Sequence, residues 1–383
     1  MREHSDVLIV GGGASGCLCG GLLSQRGFSV TILEKNLKPM KKLLATGNGR
    51  CNFTNQKMSP LCFYGDGEWI RQVLEDNGPE DIVEAFEKIG VLSRDRDGYV
   101  YPYTNQAVTL VEALENFSRD CQMVLDAKVG KIYATDEGYE IRSTQGIFYS
   151  KYLIVATGGA ASPELGGDHS GYRLLKQLDH RVTKLYPGLT GLKVKEDYWD
   201  QVAGTRIQGK FSLDCQGEIL EGEIGEIQIV KNGISGIPVF QLARRAAEAL
   251  AYGQEVYARI DFVPAMTDKE VAQWLLRFSV KGLVPKKWEP VIAGRKKPVQ
   301  ALKRLRIPVR GTFGMDRAQV TAGGVSLREV SPVTMESCLR ENLYILGEAL
   351  DVDGLCGGYN LHMAWSTARR AAWAISDKEN KKC

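Results

Sequence analysis

The 383-residue chain has little of what marks several common protein classes. No apolar run approaches the roughly 20 residues needed to cross a bilayer; stretches such as Val7–Val10 are the size of buried strands. The four histidines are scattered and none pairs at a ligand spacing, so no metal site is expected. Nine cysteines show neither a disulfide framework nor zinc spacing, and Cys17 and Cys19 fall in one expected helix. That is the usage of reduced, buried thiols, and a cytoplasmic protein is the expectation. No basic stretch precedes a long apolar region at the N-terminus, so mature protein is expected from residue 1. Internal repeats and low-complexity tracts are absent, and no motif sets an oligomeric state.

Net charge is small but unevenly distributed. The net charge is +3, yet Lys281–Arg317 holds eleven Lys or Arg against Glu289 and Asp316, which leaves the remainder at about −6. Such a segment is either a solvated helical insert or a means of steering an anionic substrate, the phosphates of a nicotinamide donor, or nucleic acid. Its aromatic residues are not interleaved with the cations in the way a base-stacking platform requires, so nucleic acid is the partner it fits least.

What the chain has is glycine, 42 residues of it, and the most informative lie at the start. Val7–Gly16 reads VLIVGGGASG: a short buried strand, then Gly11, Gly13 and Gly16 in a G-x-G-x-x-G turn into a helix. Gly11 permits the tight turn, Gly13 lets the backbone approach a pyrophosphate, and Gly16 allows close helix–strand packing. The phosphates would rest on the helix N-terminus, where open N–H groups and the dipole favour negative charge. A second apolar strand, Ser29–Leu33, ends at Glu34, whose carboxylate can accept from ribose hydroxyls. Strand, turn, helix, strand and acid in that order predict a dinucleotide-binding βαβ unit.

Three later segments decide which dinucleotide. Lys41–Asn55 (KKLLATGNGRCNFTN) combines backbone freedom at Gly47 and Gly49 with hydrogen-bonding Thr46, Asn48, Asn52 and Asn55 and the planar cation of Arg50. Tyr152–Gly159 is an apolar strand ending in Ala-Thr-Gly. Asn342–Leu361 is a strand, Gly347-Glu348, then a glycine-rich approach to a helix. These elements match FAD-binding proteins of the glutathione-reductase type. No second glycine fingerprint of similar quality is present, which predicts one tightly held FAD and no dedicated NAD(P)H domain.

The chain resembles the BaiN-like, aminoacetone-oxidase-like family of FAD-binding flavoproteins nearly end to end. The resemblance rests on Thr46–Asn55, Gly158–Tyr172, Gly233–Arg244, Ala318–Ser337 and Gly347–Ser366. Departures from the family pattern are Cys338, His362 (a glutamine is usual) and Ser366-Thr367-Ala368. The resemblance implies an α/β fold: a glutathione-reductase-type Rossmann FAD-binding domain with an inserted small β-barrel and a helical domain. It implies FAD contacts from Gly11, Gly13, Ala14, Ser15, Gly16, Glu34, Lys35, Lys42, Thr46, Gly47, Asn48, Arg50, Cys51, Asn52, Val129, Thr157, Gly158, Gly347, Glu348, Gly357, Gly358, Tyr359, Asn360 and Leu361. The pyrophosphate is expected on Gly11–Gly16, the ribityl chain near Glu348, and the isoalloxazine between Arg50–Asn52 and the helix start at Gly357–Leu361. That helix end would stabilise the anionic reduced flavin. Cys51 and Cys356, inside these motifs, are the two thiols worth testing for redox involvement.

The expected organisation is residues 1–190 and 318–383 for the FAD domain, 191–265 for the barrel and 266–317 for a basic helical domain. Within it, Trp69–Gly90 has helical periodicity, Val91–Tyr103 reads as a β-hairpin, Thr267 and Glu270 can form a capping box, Leu361–Ser376 is a closing helix, and Asp377–Cys383 is expected to fray.

Tyr64, Tyr101 and Tyr103 lie on segments that can cover a flavin, and a tyrosine can donate a proton to a reduced carbon–carbon double bond. Arg206, in GTRIQG, can point from the barrel toward a substrate carbonyl or carboxylate. His169 and His362 carry the side chain type that can titrate near neutrality, but position alone makes neither an acid nor a base. Three readings follow. In the first, NAD(P)H reduces FAD, which reduces a conjugated double bond in an oxo-steroid of the bile-acid kind. In the second, FAD oxidises an amine, as the aminoacetone name implies. In the third, FAD is a non-catalytic redox sensor. The basic segment leans toward the first.

Overall fold

The computed structural model describes residues 2–381, which form two compact units. One runs to Leu185 and resumes at Val320; the other is Tyr186–Gln319.

In the first unit, β1 (Arg2–Val10) is the central strand. After it come helix α1 (Ala14–Ser24) and β2 (Val30–Leu33), then β3 (Gln122–Val124), β4 (Val129–Thr135), β5 (Gly138–Ser143), β6 (Gly146–Val155) and β7 (Leu343–Ile345). β3, β2, β1, the second half of β6 and β7 run parallel, with Val7 opposite both Val30 and Tyr152, and Leu153 opposite Leu343. The first half of β6 pairs antiparallel with β5, which pairs with β4, so the same sheet carries a meander. Val7, Leu8 and Ile9 have no exposure, as a parallel strand covered on both faces requires. Helix α2 (Tyr359–Asn380) packs on α1.

Expectations change at two helices. The helical stretch 69–90 is two helices, Gly67–Leu74 and Pro79–Glu87, because Pro79 fits the first turn of a new helix but cannot continue an old one. The closing helix starts two residues earlier than expected and continues to Asn380, so the described part of the tail does not fray: Glu379 accepts from Lys151 and from the Tyr152 hydroxyl. Residues 382 and 383 lie outside the described chain. The hairpin appears as Ser93–Arg96 paired with Tyr99–Pro102.

The second unit is a closed antiparallel barrel of six strands. In order around it they are Leu192–Val194, Gly233–Ser235, Glu218–Val230, Arg206–Cys215, Val256–Asp261 and Leu305–Thr312, the last returning to the first. Inward-facing Leu192, Phe211, Leu213, Ile227 and Ile307 are buried, and helix Ile237–Ala251 packs against the wall. Helices Asp268–Arg277, Glu289–Ala293 and Pro298–Lys303 intervene before the sixth strand, so the chain beyond 265 belongs to the same unit as the barrel it completes. The capping box forms: Glu270 N–H donates to Thr267 Oγ1 at 3.3 Å, and Thr267 N–H to Glu270 Oε2 at 2.7 Å. Among the described residues, no helix is long and apolar enough to cross a membrane, and no group of His, Cys, Asp and Glu side chains could hold a metal ion.

Candidate functional site

Four strand ends open on one edge of the parallel sheet. β1 runs into Gly11, β2 into Glu34, β6 into Ala156–Gly158 and β7 into Gly347–Glu348. The carboxyl edge of such a sheet is where its ligands bind.

The glycine turn is built by contact. Gly11 lies at φ 112°, its N–H donates to the Leu33 carbonyl at 2.9 Å, and a Cβ there would stand 2.4 Å from Ala156 O. A Cβ on Gly16 would stand 2.0 Å from Gly11 O. Gly13 differs: nothing lies within 4 Å of where its Cβ would be. It is the N-cap of α1 without a side-chain cap, and the first intrahelical bond runs from Cys17 N–H to Gly13 O at 3.0 Å. The N–H groups of Ala14, Ser15 and Gly16 therefore face out of the helix end.

Glu34 is 6% exposed and already engaged by protein. Its Oε2 accepts from Gly12 N–H at 2.8 Å, and its Oε1 from the Asn36 N–H at 2.8 Å and Nδ2 at 2.6 Å. Three of a carboxylate's roughly four acceptor positions are thus taken. Its main chain holds the 124–127 turn, donating to Val124 O at 2.9 Å and accepting from Ala127 N–H at 2.8 Å. Val129 follows at the start of β4, buried.

The two lysines are paired. Lys42 Nζ meets Glu348 Oε2 at 2.7 Å, and Lys35 Nζ meets Asp168 Oδ2 at 2.6 Å. Glu348 Oε1 also accepts from Thr321 N–H at 2.8 Å, and Thr321 Oγ1 accepts from the N–H groups of Ala160 and Ala161 at 2.8 and 2.9 Å. Thr321 ties the turn after β6 to the one after β7, a role the local sequence did not signal. Gly347 lies at φ 63° beside α1, where a Cβ would stand 3.0 Å from Ser15 Oγ. Thr157 packs against Gly171, and Gly158 follows at φ 68° with open space on its Cβ side.

A second open helix end completes the edge. Gly357 and Gly358 lie at φ 138° and 90°; Gly358 is the uncapped N-cap of α2, whose first intrahelical bond runs from His362 N–H to Gly358 O at 3.0 Å. The N–H groups of Tyr359, Asn360 and Leu361 precede it. The start is clamped from both sides. Asn55 Nδ2 donates to Gly357 O at 2.8 Å, and the Asn360 amide exchanges two 2.8 Å bonds with the Gly354 backbone. The loop Thr46–Asn52 turns sharply, with Gly47, Asn48, Gly49 and Cys51 all left-handed and Cys51 N–H donating to Thr46 O at 3.0 Å. Arg50 projects from it, exposed.

The residues fit a flavin dinucleotide by a test independent of motif. Asn52 is buried, and its Oδ1 has no hydrogen-bond partner; a Cβ on Gly358 would stand 2.9 Å from that oxygen. An orphaned acceptor of this kind is costly unless a ligand or water supplies the donor. At the other end, Gly13 leaves room that no side chain fills.

The catalytic candidates separate. His362 is fully buried, and both nitrogens are taken: Nε2–H donates to Asn77 O at 2.7 Å, which makes Nδ1 the acceptor for Thr54 Oγ1–H at 2.7 Å. Burial lowers its pKa to about 4, so it stays neutral and serves as a brace, not an acid. His169 precedes helix Ser170–Gln177, with its ring 6.5 Å from that of Tyr172. Tyr103 is 54% exposed under the Arg94 guanidinium, and Arg206 is an exposed partner of Glu226 at 3.2 Å. Tyr64 sits in a two-residue strand opposite Asp353. Tyr101 is half-buried; burial raises its phenol pKa, with the Arg50 charge acting against this and Cys356 and Cys51 also close enough to be felt. Tyr99, two residues earlier on the same strand face, places its ring edge 3.0 Å from where a Gly357 Cβ would be. Sequence reading missed Tyr99, although its alternation with buried Val100 signalled that face. Cys51 is fully buried and burial raises its thiol pKa, which removes the thiolate that redox chemistry needs.

Comparison with known proteins agrees with this architecture. The family described as HI0933-like protein Rossmann domain matches residues 5–374. A 3-dehydro-bile acid delta(4,6)-reductase of Clostridium scindens is 37% identical, over 97% of this chain and 98% of that one. A ribosomal RNA dihydrouridine synthase of Haemophilus influenzae is 28% identical, over 98% and 100%. The fold is shared with a 3-ketosteroid-delta4-(5alpha)-dehydrogenase from Rhodococcus jostii at TM-score 0.51 and 13% identity, covering 98% of this chain and 97% of that one.

Proposed function

The chain belongs to the HI0933-like family of FAD-binding oxidoreductases, and from that premise we propose that it reduces a carbon–carbon double bond conjugated to a carbonyl, with NAD(P)H as donor and an oxo-steroid of the bile-acid kind as substrate. The observation that carries the reading is the helix end at Gly358, uncapped, beside the orphaned Asn52 oxygen and within the strand face of Tyr99 and Tyr101. The full-length likeness to a reductase of such a bond supports the substrate class.

FAD, when bound, supplies hydride transfer. The N–H groups of Ala14–Gly16 would hold its pyrophosphate, Glu34 and Val129 its adenosine end, and Lys42 with Glu348 its ribityl side. Those of Tyr359–Leu361 would hold the flavin ring's pyrimidine edge and favour negative charge there. Arg50 adds a fixed cation at the rim. Tyr101, held protonated by burial, would deliver the proton to the carbon next to the carbonyl.

The test is an anaerobic titration with NADH and NADPH, following the visible flavin band. Bleaching by a nicotinamide and recovery with a steroidal enone is the expected result. Bleaching by an amine alone would replace this reading with the oxidase one.

A second reading has its own support. The rRNA dihydrouridine synthase relative spans the whole chain, and forming dihydrouridine is also addition of hydride and proton to a double bond conjugated to a carbonyl. The same cofactor edge would serve uridine, and uridine belongs in the same titration beside the enone.

A further inference from the structure

The barrel unit's basic segment is only partly neutralised. Lys303 pairs with Asp261 at 2.7 Å, Arg306 with Asp214 at 3.1 Å, and Arg304 with Asp268. Lys281, Lys296 and Lys297 are exposed and, among the described residues, make no ion pair. Helix Asp268–Arg277 packs against helix Pro298–Lys303, the element that Lys296 and Lys297 lead into. Near that first helix's C-terminal end, the Trp274 and Phe278 rings stand 4.7 Å apart at 43°. They are 37% and 57% exposed, and Leu276 between them is 87% exposed. Arg277, between the two rings in sequence, and Lys281, three residues after them, are both exposed.

Two exposed rings leave apolar faces in water. The Arg304–Asp268 pair sets the two packed helices antiparallel, so the uncompensated charges of Lys296 and Lys297 enter at the end of the first helix that carries the rings. A ligand carrying flat faces and negative charge at short intervals relieves both. A duplex hides its bases, whereas a single strand offers them. We propose that this surface docks single-stranded RNA, with phosphates on Lys281, Lys296 and Lys297 and an unstacked base on the Trp274–Phe278 pair. The proposal rests on the uridine reading above and adds a site outside the cofactor edge. It also reverses the expectation that nucleic acid fits least. The rings lie just before residue 281 in sequence, at the end of a helix whose packing partner follows Lys296 and Lys297, and so fall outside the basic segment Lys281–Arg317.

The experiment uses the FAD-loaded full chain, a short fluorescent oligouridine and anisotropy across a salt series. Wild type should bind with a steep salt dependence. K281E/K296E/K297E should lose at least about tenfold in affinity and flatten the log–log salt slope by about 2, as for three lost single-strand phosphate contacts. W274A/F278A should lose about tenfold with the slope unchanged, as for one lost stacking platform. Unaltered binding by both variants overturns the proposal, as does binding to phosphatidylglycerol vesicles without binding to oligouridine. Oxidation of the reduced protein by uridine monophosphate tests the underlying reading separately. If uridine monophosphate restores the flavin band but the surface variants bind oligouridine like wild type, only the surface proposal falls. If the surface binds oligouridine but no uridine compound restores the band, only the uridine reading falls.

Discussion

Helix α1 begins at Gly13 and helix α2 at Gly358, and neither start is capped by a side chain. The resemblance ends there. Gly358 is left-handed at φ 90°, and a Cβ would stand 2.6 Å from Thr54 O and 2.9 Å from Asn52 Oδ1. Gly13 has an ordinary φ of −87° and open space around its Cβ position. The protein itself demands glycine at 358. At 13 nothing in the protein demands it, so the reason lies in what approaches from outside. A glycine that no neighbour explains is the better evidence for a ligand.

The largest effect is expected where the first turn is packed by protein. Gly16→Ala would force a Cβ to 2.0 Å from Gly11 O, a backbone atom that cannot rotate away. A loss of more than about 3 kcal/mol in urea unfolding is expected, consistent with severe overpacking. A near-neutral result would mean that α1 can slide along β1, and the contrast between Gly16 and Gly13 would fail.

His362 sharpens the comparison through pH, because it braces only the second start. Its pKa is about 4 in the folded chain against 6.5 ordinarily. Below pH 6.5 the unfolded chain binds a proton that the folded chain refuses until about pH 4, so unfolding gains as pH falls. The contribution is intact above pH 6.5 and is lost progressively down to pH 4, by about 3 kcal/mol in all. His362→Gln keeps a donor and an acceptor but does not titrate. Its unfolding free energy should therefore fall less steeply than wild type's across that window. Parallel curves would remove His362 as the brace.

Gly358→Ala comes next, at about 2 kcal/mol, from left-handed strain plus contact with Thr54 O, which can yield slightly. Thermal unfolding measures it. An unchanged midpoint would mean that the start of α2 is looser than its contacts indicate.

The two starts also differ in how far the sequence revealed them. Strand, glycine turn, helix and acid follow one another within Val7–Glu34, so local periodicity and spacing suffice to place α1. The hairpin at 93–102 and the capping box at Thr267 are equally local. The start of α2 was located, but its bracing was not. The bonds from His362 to Thr54 and Asn77 span 308 and 285 residues, and no pattern within a window encodes them. Glu34 shows the same limit: its position was legible, its three protein donors were not. The barrel's sixth strand hid behind three helices, because closure is decided by the first strand more than a hundred residues away.

Gly13→Ala gives the smallest effect on the fold and the most direct test of the comparison. The new methyl meets no atom within 4 Å and no unusual φ, so the stability of the apoprotein should change by no more than about 1 kcal/mol. That methyl would stand among the open N–H groups of Ala14–Gly16, where the pyrophosphate is proposed to approach. FAD affinity, measured by quenching of flavin fluorescence on reconstitution, should therefore fall about tenfold or more, equivalent to at least about 1.4 kcal/mol. Gly358→Ala should show the opposite balance, with stability falling further than can be recovered by added FAD. If Gly13→Ala binds FAD like wild type, the open space at the first helix start is not where the pyrophosphate rests. The distinction between a glycine kept by the protein and one kept by its ligand would then have to be drawn elsewhere along the edge, beginning with Gly158, whose Cβ side is also open.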